Sequence, residues 1–168
     1  QTRDISITIQ EVKETIEKTG IGLFRFAGST TPVSLSNRIA DALLTEGLHI
    51  EYSMFIRAES KAQERVPELV ECYEKIIRSG LRAVFLGVEA ANNVVLSKIM
   101  DKGGSVEDMY FTVKAIKQAS YNQKIHLDVG VSFIYPCPIP PDSGITHEQI
   151  LVENLRLLRK LKNENSKP

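Results

Sequence analysis

The 168-residue sequence lacks several features that mark specialised classes of protein. It contains no tryptophan, and its two cysteines, Cys72 and Cys137, are too few to build a disulfide framework. No charged segment followed by an apolar stretch opens the chain, so nothing indicates a secretory signal. We therefore expect a protein of the reducing cytoplasm.

Neither sign of charge is in excess, and no long hydrophobic run is present. Twenty-one Lys and Arg residues balance 21 Asp and Glu residues, so no basic field exists to collect nucleic acid. Even the apolar residues 125–135 are interrupted by His126, Asp128 and Gly130, well short of the ~20 residues that cross a bilayer. We expect neither a nucleic-acid partner nor a membrane partner.

Common nucleotide-binding and hydrolytic signatures are also missing. The chain has no GxxxxGK[ST], no GxGxxG after a strand, no HExxH and no GxSxG. Its three histidines, His49, His126 and His147, do not show the spacing of metal ligands. The residues of this chain therefore predict no metal site.

Strand and helix patterns alternate along the chain. The predicted helices are 8–19, 34–46, 66–79, 92–100, 106–119 and 147–161, and the predicted strands are 21–26, 48–56, 82–88 and 125–135. Alternation at roughly 30–45 residues per unit indicates parallel strands joined by helical crossovers. Because no repeat and no domain linker interrupts the pattern, we expect residues 1–168 to form a single α/β domain.

The distribution of side chains along the strands distinguishes between two parallel architectures. In 48–57, 82–89 and 125–135, alternate residues give one uniformly apolar face and one mixed face. A doubly wound sheet buries both faces, whereas a barrel turns one face towards a lumen. A complete barrel needs eight strands and ~250 residues. The sequence therefore predicts an arc of a partial TIM-type (β/α) barrel.

In such a barrel the functional site lies at the carboxyl ends of the strands. The last inward-facing residues there are Arg57, Glu89 and Ser132, and Gly87 leaves space for a ligand or another backbone. Arg57 suits a carboxylate or phosphate, while Glu89 suits a ribose diol or an ammonium group. The alternatives are an exposed loop cation at Arg57 and an ion pair of Glu89 with Arg57 or another lumen charge.

The two cysteines are predicted to differ in surroundings. Cys137 lies between prolines in the mouth of the expected site. Three interpretations are open for this residue: a metal ligand, a reactive thiol or, as is more common for a lone cysteine, an inert thiol. Cys72 shares a helix face with Leu69 and Ile76, which indicates core packing.

Four segments carry a family resemblance, namely residues 3–26, 48–60, 79–103 and 133–158. Together they resemble the radical S-adenosylmethionine enzymes, particularly the branch often found with a cobalamin-binding domain. The most specific match is Gly87-Val88-Glu89 followed by Met100-Asp101-Lys102-Gly103, similar to the family's Gly-x-Glu-Ser strand end and Met-x-Lys-Gly turn. Ala90 stands where the family has Ser, and Pro136 where it has Gly.

The resemblance implies an enzyme that cleaves S-adenosylmethionine reductively, at a [4Fe-4S] cluster, to a 5′-deoxyadenosyl radical. Glu89 and Arg57 would position S-adenosylmethionine, with Gly87, Ser132 and Lys102 as further cofactor-binding residues. The family's CxxxCxxC cluster motif is absent here. We therefore expect a fragment of a longer chain, inactive alone, whose partner is the missing N-terminal part of the same protein. Whether cobalamin is used, and which substrate reacts, stay open.

A second class of function competes with the enzyme. The absent cysteines favour a non-catalytic α/β barrel-like module that binds a small molecule or a protein partner, whereas the Gly87–Glu89 and Met100–Gly103 matches favour the enzyme. An unclosed barrel also exposes a sheet edge and, through Phe55, Phe85 and Ile134, a partly apolar inner face. A homodimer of the isolated chain is therefore expected.

Overall fold

A computed structural model of the protein describes residues 4–163, apart from the side chains of residues 29 and 30. The helices are α1 (Ile5–Thr19), α2 (Val33–Thr45), α3 (Val66–Arg78), α4 (Asn93–Lys98), α5 (Val106–Gln123) and α6 (His147–Asn163), and a short 3-10 helix spans Ala62–Arg65. The strands are β1 (Leu23–Thr31), β2 (Glu51–Ile56), β3 (Leu81–Glu89) and β4 (Asp128–Phe133). Within this described range, no helix combines the length and the hydropathy needed to cross a membrane.

The four strands form one sheet in the order β1-β2-β3-β4, and every neighbouring pair is parallel. The helices pack beside one another in the same sequence, with α1 on α2, α2 on α3, α3 on α5 and α5 on α6. Each strand therefore lies beside the strand that precedes it in the chain. This arrangement confirms the predicted α/β class and the partial TIM-type barrel.

Only one face of the sheet is buried under the helices. The residues of β2 and β3 that pack into this core are Tyr52, Met54, Ile56, Leu81, Val84, Leu86 and Val88. From Ser53 and Ala83 onward, the alternate residues, including Phe55 and Phe85, lie on the opposite face and are half-buried or exposed. The observed burial confirms the predicted division into an apolar face and a lumen-facing face, because strand side chains alternate with period two.

The first helix begins earlier than the sequence predicts. Its N-cap is Asp4, whose carboxylate accepts the Ser6 backbone N–H at 2.9 Å. Thr8, the first residue of the predicted helix, lies inside the observed one and donates its hydroxyl to the Asp4 carbonyl at 3.3 Å. The helix starts at Ile5 rather than at residue 8, because Asp is a strong N-cap that satisfies a free N–H of the first turn.

Several other boundaries also differ from the prediction. Strand β1 continues to Thr31, beyond the predicted end at residue 26, and the pairing register shifts between Phe26 and Thr31. Strands β2 and β4 begin three residues later than predicted, at Glu51 and Asp128. Apolar residues flank both strands outside the hydrogen-bonded ladder, so hydropathy alone extends the predicted strands too far.

The turn that enters β3 requires glycine. Gly80 has φ +115°, and a Cβ there would lie 1.9 Å from the Ile50 carbonyl oxygen. The Gly80 carbonyl accepts the Tyr52 N–H at 3.0 Å, and the buried Tyr52 hydroxyl lies 2.8 Å from the Ser79 hydroxyl. Burial also raises the pKa of Tyr52 to about 12. The turn is therefore locked onto β2 by both its backbone and its side chains.

Candidate functional site

A cavity of about 870 Å³ opens at the carboxyl ends of β2, β3 and β4. Its volume is within the range of small-molecule sites. All five residues predicted to bind a cofactor line it, and they are Arg57, Gly87, Glu89, Lys102 and Ser132. The parallel strands bring four of them to one edge of the sheet, and the α4–α5 loop brings Lys102 to the same place.

Glu89 is the last residue of β3 and has the left-handed φ of +65°. Its Oε1 accepts a hydrogen bond from Lys102 Nζ at 2.9 Å, and the same ammonium donates to the Gly87 carbonyl at 2.7 Å. One lysine therefore fixes both the Glu89 side chain and the backbone two residues before it. The sequence allows two possible ion-pair partners for Glu89, namely Arg57 and another charged residue of the lumen. The structure shows the second, because Glu89 pairs with Lys102 and not with Arg57.

Gly87 makes room for this ion pair. A Cβ at Gly87 would lie 2.5 Å from Glu89 Oε1 and 3.4 Å from Lys102 Nζ. The sequence predicts that Gly87 admits a ligand or another backbone, but the space beside it is taken by the chain's own carboxylate. Glycine is therefore required for the position of Glu89.

Arg57 and Ser132 offer unused hydrogen-bonding groups to the cavity. Both side chains are exposed, and neither has a hydrogen-bond or ion-pair partner among residues 4–163. The acidic residue nearest to Arg57 in the sequence, Glu59, instead accepts the Val33 N–H at 3.0 Å. Arg57 is consequently a cation available to an anionic ligand group.

The loop after Glu89 is tied to the last helix. Asn154 of α6 is buried, and its Oδ1 accepts the Ala91 N–H at 2.7 Å. Asn92 caps α4 by accepting the N–H groups of Val94 and Val95, each at 3.1 Å. The sequence prediction missed Asn154, although an amide among the apolar positions of a helix is a signal of a buried polar contact.

Cys137 lies outside the cavity. It is buried in a small apolar cluster with Ala90, Val95 and Ile150, and burial raises the pKa of its thiol. The prediction that it lies in the mouth of the site is wrong, because the Pro-rich segment turns the thiol under α6. Cys72 is partly buried and packs against the main core, as predicted.

The two thiols cannot hold an iron-sulfur cluster. No group of three or more His, Cys, Asp or Glu side chains within residues 4–163 is arranged to bind a metal ion. An iron-sulfur cluster takes three or four thiolates from its protein. The residues present do not fit this cofactor.

Four residues of the inner face, one from each strand, form what we name the floor layer: Arg25, Phe55, Phe85 and Gly130. The last three are level in the strand register, whereas Arg25 is paired with Ser53, one inward-facing position lower. The Arg25 guanidinium lies 4.9 Å from the centre of the Phe55 ring and 5.6 Å from that of Phe85. The two rings are 5.5 Å apart. A Cβ at Gly130 would lie 2.8 Å from the Phe85 ring, so glycine lets this ring lie over β4. The sequence prediction missed Arg25, a lone charge in the apolar run of residues 21–26.

Comparisons with known proteins show a likeness in structure but not in sequence. No family model and no curated protein matches the chain. The chain is similar to the cobalamin-dependent S-adenosylmethionine radical enzyme OxsB with aqua-cobalamin bound, with a TM-score of 0.67 and 17% identity over 92% of this chain. The apo, selenomethionine-labelled form of OxsB gives 0.69 and 16% over 94%. The form with aqua-cobalamin and S-adenosylmethionine gives 0.62 and 18% over 92%.

The chain spans 22% of the length of the OxsB structures. At this level of identity the likeness concerns the path of the backbone. The α/β arc therefore has the fold of one part of that enzyme.

Proposed function

We propose that this chain forms part of the catalytic barrel of a radical S-adenosylmethionine enzyme and that its cavity binds S-adenosylmethionine. The observation that carries the proposal is the ion pair of Glu89 with Lys102. It brings together the two sequence segments of the most specific family match, 87–89 and 100–103, in the wall of one cavity. The fold shared with part of OxsB supports the same conclusion.

The polar groups of the cavity are complementary to S-adenosylmethionine. Glu89 Oε2 has no partner among residues 4–163, so Glu89 has acceptor capacity for a ribose diol or an amino group while Lys102 holds its other oxygen. Arg57 donates to the carboxylate, and Ser132 offers a hydroxyl across the cavity. When bound in enzymes of this family, S-adenosylmethionine is the source of the 5′-deoxyadenosyl radical.

We assign no step of the reaction to a cluster bound by this chain. Cys72 and Cys137 lie in separate parts of the core, and no three potential ligands are gathered within residues 4–163. In this proposal the cluster ligands come from another part of the same protein, which is also the main partner of this chain. Cobalamin belongs to the description of OxsB, and we assign it no residue here.

Binding of S-adenosylmethionine to the 168-residue chain, followed by calorimetry, tests the proposal. Glu89→Gln should weaken binding at least tenfold, because a hydrogen bond to a charged group contributes about 1.5–3 kcal/mol. The matched control is Glu14→Gln, which removes a carboxylate paired with Lys18 on α1, outside the cavity. Equal affinities of the wild type and Glu89→Gln would refute the proposed role of Glu89.

The role of Arg57 is tested with a second ligand. Arg57→Gln should weaken S-adenosylmethionine but leave 5′-methylthioadenosine unaffected, since only the first ligand carries a carboxylate. Loss of affinity for both ligands would contradict the assignment of Arg57 to the carboxylate.

The rival proposal is a non-catalytic module that binds a small molecule or a protein partner. It is favoured by the absence of CxxxCxxC from the sequence and of any metal-binding cluster from residues 4–163. The encoded sequence upstream of Gln1 discriminates between the two proposals. A CxxxCxxC motif there supports the enzyme, whereas an upstream sequence without it supports the module.

The exposed inner face of the sheet leads to a proposal about association of this chain with other chain segments or with a second copy. Phe85 and Ile134 are 39% and 43% exposed. We propose that further strands of the same protein cover this face, and that the isolated chain covers it by forming a homodimer. Sedimentation at micromolar concentration should therefore show self-association. A monomer that binds no hydrophobic dye would contradict this proposal.

A further inference from the structure

Arg25 is placed unusually for a cation on an open sheet. It belongs to β1, its side chain is exposed on the inner face, and its guanidinium lies over the rings of Phe55 and Phe85. Stacking of this kind is favourable, because the ring face carries partial negative charge. The side chain is therefore held in one region instead of sampling solvent freely.

Stacking leaves the hydrogen-bonding capacity of Arg25 unused. Only the flat faces of a guanidinium take part in a cation–π contact, while its N–H groups point outward in the plane. Arg25 has no ion-pair or hydrogen-bond partner among residues 4–163. Glu51 of the neighbouring strand pairs with Arg82 at 3.1 Å, and Asp128 of β4 pairs with His126 at 3.0 Å. The acidic side chains at the start of these strands are thus already engaged.

The floor layer borders the cavity from below. Phe55, Phe85 and Gly130 precede Arg57, Gly87 and Ser132, respectively, by two positions. Gly87 and Ser132 lie on β3 and β4, and Arg57 directly follows the end of β2. Phe55, Phe85 and Gly130 also line the cavity. The Arg25 guanidinium therefore lies over two aromatic rings that line the cavity. Arg25 takes no part in the Glu89–Lys102 ion pair.

We propose that Arg25, Phe55 and Phe85 form a binding site for a small organic anion, one with a carboxylate or phosphate group and an apolar body. The in-plane N–H groups of Arg25 bind two oxygens of the anion. The rings exclude water from one side of the guanidinium and contact the apolar body. This site goes beyond the binding of S-adenosylmethionine and does not depend on it.

Phenyl phosphate is the probe for this site. Its affinity for the 168-residue chain is measured by calorimetry at constant ionic strength, beside inorganic phosphate and phenol. Phenyl phosphate should bind more tightly than either, because it alone combines the oxyanion with the apolar body. Equal binding of phenol would overturn the role of the oxyanion, and equal binding of inorganic phosphate would overturn the role of the rings.

Three variants identify the residue responsible. Arg25→Gln should weaken phenyl phosphate at least tenfold, and Arg25→Lys, which keeps the charge but loses the planar fork, should give an intermediate loss. Lys75→Gln is the matched control, because it removes a cation that is paired with Asp41 on the helices. Circular dichroism establishes that each variant is folded.

The outcomes separate this proposal from its alternatives. Unchanged affinity in Arg25→Gln, or an equal loss in Lys75→Gln, would overturn it. If Arg25→Gln changes self-association but not phenyl phosphate binding, the partner of Arg25 is a carboxylate of another protein chain. That result would also overturn the proposal. The effect of Arg25→Gln is measured on phenyl phosphate and that of Glu89→Gln on S-adenosylmethionine, so failure of this site is distinguishable from failure of S-adenosylmethionine binding.

Discussion

Replacing Asn154 with alanine removes the acceptor that holds the loop after Glu89. In the folded protein, Asn154 Oδ1 lies 2.7 Å from the Ala91 nitrogen, and both residues are buried. After the substitution the Ala91 N–H has no acceptor from α6, and water does not reach it without displacement of the loop. The perturbation therefore acts on stability and on the position of Glu89 together.

The expected loss follows from the burial of this donor. A buried N–H left without an acceptor costs about 1–3 kcal/mol, and the missing amide adds a small cavity. We take about 2 kcal/mol as the loss in free energy of unfolding. For a domain of this size each kcal/mol corresponds to about 2–4 °C in Tm, so the Tm should fall by about 4–8 °C.

Urea denaturation followed by circular dichroism measures the loss, with Leu155→Ala as the control. Leu155 is on the same helix but is 45% exposed, so its replacement should change the free energy of unfolding by less than about 0.5 kcal/mol. Hydrogen exchange should also become faster at the Ala91 amide in Asn154→Ala. The reasoning is refuted if Asn154→Ala and Leu155→Ala are equally stable, or if the Ala91 amide keeps its protection.

Three further predictions concern the turn before β3, a buried tyrosine and the two cysteines. Gly80→Ala should lower the free energy of unfolding by more than about 3 kcal/mol, because a Cβ at Gly80 clashes with the backbone and φ is positive there. The control Gly103→Ala should change the free energy of unfolding little, because the space around Gly103 is open. Equal melting temperatures of the two variants would contradict this prediction. The pKa of Tyr52 is raised by burial from 10.0 to about 12, so the stability that its neutral form contributes is complete below pH 10 and is lost as the pH rises to about 12. Denaturation across this pH range should show a shallower decline in Tyr52→Phe, and an unchanged slope would refute the assignment. Native-state alkylation followed by mass spectrometry should modify Cys72 before Cys137, since burial raises the pKa of the Cys137 thiol; the reverse order would show that the apolar cluster opens.

The sequence predicts the sheet well because the period-two alternation of apolar residues follows directly from the geometry of a strand. Tyr52, Met54 and Ile56 alternate with the lumen-facing residues Ser53 and Phe55, and a strand must place the two sets on opposite faces. Once the strands are parallel, their carboxyl ends share one edge. The gathering of Arg57, Glu89 and Ser132 around one cavity therefore follows from three strand assignments alone.

Other features depend on contacts between residues that are far apart in the chain. The acceptor for Ala91 comes from Asn154, 63 residues later, and nothing local to either position specifies the other. The partner of Glu89 is likewise decided by the α4–α5 loop, which favours Lys102 over Arg57. Arg25 was missed because an arginine in a short apolar run shows its use only when the aromatic residues of the next two strands are placed beside it.

The consecutive order of the strands has a consequence for folding. Because β1, β2, β3 and β4 each pair only with the units next to them in the chain, the arc resembles a short repeat protein, in which stability is the sum of unit and interface contributions. The central strands β2 and β3 are paired on both edges, whereas β1 and β4 are each paired on one. Opening should therefore begin at the outer units, and hydrogen exchange should be slowest in β2 and β3.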